Sequence, residues 1–158
     1  PGAAQVMYAR IALARKNPAA AEAHARRALT DPGQALTGSV LLAQAIAEQN
    51  RPAEALQLLA QTEQRARAER AMPVESLDSV RGDALARMER FDDAMVAFRR
   101  TIAEFPHDHS AYMRAAIVLT VLGKREEADA MLKDMVRRNP TPEARRLAAK
   151  ARAELGAS

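Results

Sequence analysis

The prolines of "KNPAAAEA" and "QNRPAEAL", Pro18 and Pro52, are spaced by the same interval as the alanines behind them, Ala21 and Ala55. The interval returns further on, between Ala94 of "ERFDDAMVAF" and Ala128 of "GKREEADAML". Only the step from Ala55 to Ala94 is longer. A fixed period of about 34 residues marks stacked helix pairs, because one pair cannot bury its own apolar face and the next must cover it.

Composition agrees with helices. Alanine, leucine, glutamate, arginine and glutamine lose little side-chain freedom in a helix, whereas aromatic residues make up only 3% of the 158 residues. The core must therefore be built from alanine, leucine, methionine and valine at close helix contacts. Within each period the pattern reads helix, break, helix. Tyr112, Ala115, Ala116, Leu119 and Leu122 recur at three- and four-residue steps on one face. Gly123 supplies a stop, since it takes positive φ without a Cβ penalty. Ala128, Met131, Leu132 and Met135 form the apolar face of the following helix, which Asn139-Pro140 ends. Pro18 and Pro52 each suit a first helical turn, where the missing N–H is not needed.

Two departures from the period are informative. The extra residues around "EQRARAERAMP" lie in a polar, helix-favouring stretch ending at Pro73, read as a second helix longer by about one turn. At the end, "TPEARRLAAKARAELG" opens with Thr141 as a cap and Pro142 in the first turn. Leu147 and Leu155 are its sparse large apolar residues, as befits a helix closing the last apolar face of a stack.

These units resemble the tetratricopeptide repeats. Gly82, Leu85, Ala94, Phe98, Thr101 and Pro106 supply, in order, the small, large, alanine, large, small and proline places of that family. Ala116, Leu119, Ala128, Leu132, Met135 and Pro140 do so again, and Ala43, Ile46, Ala55, Leu59 and Thr62 fit without the proline. The first unit is more degenerate, with Ala9, Ala21, Ala25 and Ala28 in place. The resemblance implies an all-α, right-handed α-solenoid of four helix pairs in a single domain, 1–158. Its repeats are expected at about 2–33, 35–73, 75–108 and 109–141, with a capping helix at about 142–155. It also implies that Ala94 faces Gly82 across a close backbone approach, with Phe91 and Phe98 on either side. The abrupt Pro1-Gly2 start reads as a piece of a longer chain, so the lack of a targeting signal carries no weight.

The chain offers little that looks like chemistry. There is no cysteine, which excludes thiolate metal sites, disulfides and a cysteine nucleophile but does not choose between cytoplasm and periplasm. His107-Asp108-His109 is the one cluster of catalytic appearance, read as a polar turn with Asp108 or Ser110 opening the next helix. Ser39, Ser76, Ser79 and Ser110 lack a nucleophile context, and there is no glycine-rich phosphate loop. No catalytic residue, metal ligand or cofactor is expected. No apolar run approaches the roughly 18–20 residues of a membrane span. The net charge of +4 is mild. Arg137, Arg138, Arg145, Arg146, Lys150 and Arg152 form a basic tail without stacking aromatics, so nucleic acid is a minor reading.

Function then rests on what the resemblance implies. In that family the first helices of successive repeats line a concave surface that binds peptides or partner proteins. Carried to this chain, the inward places are Val6, Met7 and Arg10; Val40, Leu41 and Gln44; Val80, Asp83 and Arg87; Met113, Arg114 and Ile117. Arginine forks bind carboxylates and methionine adapts to irregular apolar groups, so the expected partner pairs aliphatic with acidic features. The family's carboxylate clamp finds only Arg114 suitable, and Leu41, Val80 and Arg114 stand where its asparagine ladder would be. The expectation is a non-enzymatic interaction scaffold, with an accessory domain of a larger bacterial enzyme or assembly as the alternative. Self-association stays open.

Overall fold

The computed structural model describes residues 1–156; Ala157 and Ser158, the end of the expected 1–158 span, lie outside the described residues. In chain order the helices are α1 (Gly2–Ala14), α2 (Pro18–Ala28), α3 (Ala35–Glu48), α4 (Pro52–Ala68), α5 (Leu77–Arg87), α6 (Phe91–Glu104), α7 (His109–Val121), α8 (Arg125–Arg138) and α9 (Pro142–Gly156). Among the described residues there is no strand. Among the described residues no helix is long and apolar enough to cross a membrane. The fold class is an all-α solenoid of antiparallel helix pairs, and the chain divides into two compact units, Pro1–Glu89 and Arg90–Ser158.

Each unit is layered. In the first, α1 pairs with α2 and α3 with α4, while α2 also packs on α3 and α4 on α5. The first helices touch side by side, α1 with α3 and α3 with α5, yet the second helices α2 and α4 do not meet. In the second unit α6, α7, α8 and α9 pack in succession, α7 also touches α9, and α6 and α8 stay apart. First helices therefore crowd together on one side of each unit and second helices fan apart on the other.

The helix ends explain how a break can be so short. Pro18 and Pro52 begin α2 and α4, and the Asn17 side chain accepts a hydrogen bond from the Ala20 amide at 3.1 Å. The turn after each of α1, α3, α5 and α7 places one residue at positive φ: Lys16 (59°), Asn50 (63°), Glu89 (59°) and Gly123 (77°). Beyond that residue the chain folds back on the helix it has left, with Asn17 N–H donating to the Ala12 carbonyl (2.9 Å). Arg51 donates likewise to Ile46 (3.2 Å) and Lys124 to Leu119 (2.8 Å). This satisfies carbonyls that a helix C-terminus otherwise leaves orphaned. Gly123 stops its helix as its residue type allows; Asn50 makes the same turn with a residue that tolerates it, and Lys16 and Glu89 with side chains that resist it. Arg70 (50°) closes α4 in the same manner. That helix runs 17 residues against 14 for α6 and α8, which is the extra turn expected at the lengthened period.

Packing relies on small residues. Ala21, Ala25 and Ala28 of α2 are fully buried, and α3 answers them with Gly38. A Cβ on Gly38 would lie 3.1 Å from the Ala28 Cβ and 3.5 Å from the Ala25 carbonyl oxygen. Ala94 and Phe98 of α6 are both inaccessible to solvent, as is Tyr112 of α7. The Tyr112 hydroxyl donates to the Pro106 carbonyl at 2.9 Å, and Asn139, at the end of α8, donates its side-chain amide to the same oxygen at 2.8 Å. Burial pushes the Tyr112 phenol above its ordinary pKa. Two expectations change. Leu122 caps α7 and is 38% exposed instead of extending its apolar face, because Gly123 turns the chain there. In α9 the buried stripe is Ala144, Ala148 and Ala151, with Leu147 and Leu155 only half-buried. Thr141 caps that helix by accepting from the Ala144 amide at 3.1 Å.

Ion pairs between consecutive pairs share one polarity. Glu22 on α2 reaches Arg51 in the turn after α3 at 3.1 Å, and Gln49 donates to the same carboxylate at 2.6 Å. Glu63 on α4 meets Arg81 on α5 at 2.8 Å, and Asp129 on α8 meets Arg152 on α9 at 2.7 Å. In each the carboxylate belongs to a second helix and the cation to the first helix that follows, or to its terminal turn. The Arg26 guanidinium, with help from Gln49 and Arg51, holds the Glu22 carboxyl below the usual glutamate range although partial burial opposes it. Arg152 and Lys133 likewise lower Asp129.

Replacing Ala94 or Ala128 with leucine forces extra volume into a close contact and is expected to cost about 1–3 kcal/mol, while exposed Ala153→Leu changes little; thermal unfolding compares the three. Glu89→Gly relieves the left-handed backbone and is expected to add about 1 kcal/mol in urea unfolding, with Gly123→Ala losing a similar amount. A carboxyl whose folded pKa is depressed stabilises the fold above its unfolded pKa and stops doing so as pH falls through the folded value. Stability titrated downward from about pH 4.3 should therefore fall less steeply in Glu22→Gln than in the parent chain.

Candidate partner-binding site

The expected inward places separate by burial once the first helices are laid side by side. Val6, Val40, Leu41 and Val80 are buried at 8%, 3%, 8% and 1% exposure. A first helix flanked by neighbours must spend two faces on packing, so these aliphatic positions belong to the core. On the open side of the first unit are Met7, 62% exposed, Arg10, and the half-buried Gln44 and Asp83. Gln44 donates to Glu48 at 3.1 Å. Arg87 is exposed and binds Asp83 one turn earlier at 2.9 Å. Asp83 and Arg87 thus match each other's charge within α5. In the second unit Met113 and Arg114 are half-buried and Ile117 is 49% exposed. Val121 stands one turn beyond it and is also exposed.

The histidine cluster has a local explanation. Asp108 caps α7, accepting from the Ala111 amide at 3.4 Å and from the Ser110 hydroxyl at 2.6 Å. Among the described residues no three His, Asp or Glu side chains gather where a metal ion could be held. In the basic tail Arg138 lies 3.1 Å from Asp134, Arg137 pairs with the same aspartate, and Arg152 is taken by Asp129. Part of the positive charge there is thus matched locally, Arg137 and Arg138 sharing one carboxylate and Arg152 sharing Asp129 with Lys133.

Sequence reasoning missed a second accessible surface. Tyr8 and Ile11 of α1 are 51% and 42% exposed. The Tyr8 ring sits 5.3 Å from the His24 ring of α2, and His24 Nδ1 is 2.8 Å from Gln5 Oε1. The signal was present in the period: one repeat later the same places hold Leu42 and Ala45, both buried.

Comparison with known proteins places these features. Residues 85–151 match the family model described as Tetratricopeptide repeat. No curated protein matches the chain in sequence. Among solved structures, a thermophilic TPR protein of Thermus thermophilus superposes with a TM-score of 0.76 at 18% identity, covering 99% of this chain and 84% of its own. MamA gives 0.59 at 15% identity, over 94% of this chain and 84% of its own. YrrB, described as a TPR protein with an unusual peptide-binding site, gives 0.54 at 17% identity, over 95% and 75%. The stretch 85–151 is similar in sequence to the tetratricopeptide repeats, and the chain as a whole shares the fold of solved tetratricopeptide repeat proteins.

Proposed function

We propose that this chain is a non-enzymatic interaction scaffold that binds a peptide or partner segment along its first helices. The observation carrying this reading is the layering itself. First helices lie side by side in each unit, and on their open side they hold flexible or branched apolar groups next to arginine: Met7 by Arg10, and Met113 and Ile117 by Arg114. Such a surface suits a segment that alternates aliphatic side chains with an acidic residue or a C-terminal carboxylate. Apolar contact supplies area, and the guanidinium fork selects the carboxylate. YrrB's described peptide-binding site, on a chain of like fold, lends the reading support. Val6, Val40 and Val80 enter only as the packing that holds the exposed residues in place.

With a partner recovered by pull-down, Arg114→Glu and Arg87→Glu should weaken binding more than Arg145→Glu on α9. The loss could reach about 2–5 kcal/mol for a desolvated pair and is much smaller at a rim. Calorimetric titration of each folded variant checks this. A loss confined to Arg145→Glu assigns binding to the basic tail and overturns the first-helix site.

A further inference from the structure

The face of α1 that carries Tyr8 and Ile11 has counterparts in the helices that follow. Ala4, Tyr8 and Ile11 stand one period before Gly38, Leu42 and Ala45, one stripe of α3 at i, i+4 and i+7. Gly38 is where that stripe meets α2: a Cβ there would touch Ala28, Leu29 and the Ala25 carbonyl. On α7 the same places are Ala111, Ala115 and Val118, all buried, and α6 packs against α7. On α1 the stripe is open, with Ala4, Tyr8 and Ile11 exposed. A pocket of about 330 Å³ opens beside it, lined by Tyr8, Ile11, Arg15 and His24 among others.

Charge indicates what would cover it. Where second helices meet the next first helix, the second helix brings the acid: Glu22 to Gln49 and Arg51, Glu63 to Arg81, Asp129 to Arg152. Glu22 and Asp129 each directly follow the buried alanine of their helix, Ala21 and Ala128. The counterpart of Gln49 on α1, one period earlier, is Arg15. It is exposed, forms no ion pair among the described residues, and lines the pocket. Arg15 is the cation that lines this pocket, so a second copy of the same helix would set arginine against arginine.

We infer that the Tyr8–Ile11 face of α1 is a docking surface for one helix of a partner protein. That helix is amphipathic, has small residues along its contact stripe, and carries a carboxylate that reaches Arg15 as Glu22 reaches Gln49 and Arg51. This surface lies on the stacking side of α1 and adjoins the open side at Met7, which stands one turn before Ile11.

The probe is a synthetic helix with the sequence of residues 17–30, stapled across positions 19 and 23, in which Arg26→Ala and Arg27→Ala free its glutamate. Its binding to the full chain is read by fluorescence anisotropy at low salt. The Glu22→Gln form of the peptide is expected to bind several-fold more weakly, and Arg15→Glu in the protein should remove that difference. Ile11→Asp should weaken both peptides by at least about tenfold. Tyr8→Ser is the second apolar variant, and circular dichroism verifies that each variant keeps its helices. Absence of binding, equal affinity of the glutamate and glutamine peptides, or indifference to Ile11→Asp overturns the proposal. A dimer in sedimentation that Ile11→Asp dissociates assigns the face to a second copy instead. Loss of probe binding in a longer form of the polypeptide assigns it to a helix of the same chain.

Discussion

The close approach between a second helix and the first helix that follows sets the terms for the rest of this structure. A methyl group on Gly38 would crowd the Ala28 Cβ at 3.1 Å and force the two helices to give way. In a stack, each pair touches only its neighbours, so separation at one contact displaces everything beyond it. The alanine content and the scarcity of aromatics follow from this constraint. The few large groups admitted, Phe98 and Tyr112 among them, are fully buried. Tyr112 is admitted with its hydroxyl satisfied by the Pro106 carbonyl, which avoids the cost of an unpaired buried polar group.

Small residues let helices approach but do not say which way a stack should grow. The ion pairs add that direction. With carboxylates on second helices and cations on the first helices that follow, a pair presents an acidic side to its successor and a basic side to its predecessor. A reversed neighbour would set like charges together, which opposes misordered stacking more than it stabilises the ordered one. The Glu22 cluster shows how local and long-range pairing combine, since Arg26 on its own helix orients the carboxylate that Gln49 and Arg51 then bind.

What could be read in the sequence was whatever sterics encode locally. Pro18 and Pro52 announce helix starts because proline tolerates few other places, and Gly123 announces a stop because only glycine enters its turn without strain. Ala94 and Ala128 were legible because the period repeats them. Lys16 and Glu89 make the same left-handed turn invisibly, since the fold imposes on them a conformation that their residue types do not advertise. The candidate site was legible only in part. Its helices could be named, but periodicity alone does not divide a first helix into packed and open faces. Val6, Val40 and Val80 proved buried, on the packed side. Asp83 and Arg87, both named as inward places, turn out to pair with each other one turn apart.

A repeat architecture separates the residues that stack from the residues that recognise. The stacking set is tied to the period and is confined to small side chains, paired charges and helix ends. The open sides of α1, α3, α5 and α7 lie outside those demands, so methionine, arginine and isoleucine can be placed there by what they bind. The Tyr8–Ile11 face of α1 belongs to the first set by position and to the second by exposure. Its geometry is that of a helix contact, and its charge is the basic half of a pairing used elsewhere in the chain. Recognition at that face would therefore reuse the chemistry that holds the repeats together, with an acidic helix docking by the same rules as an internal one.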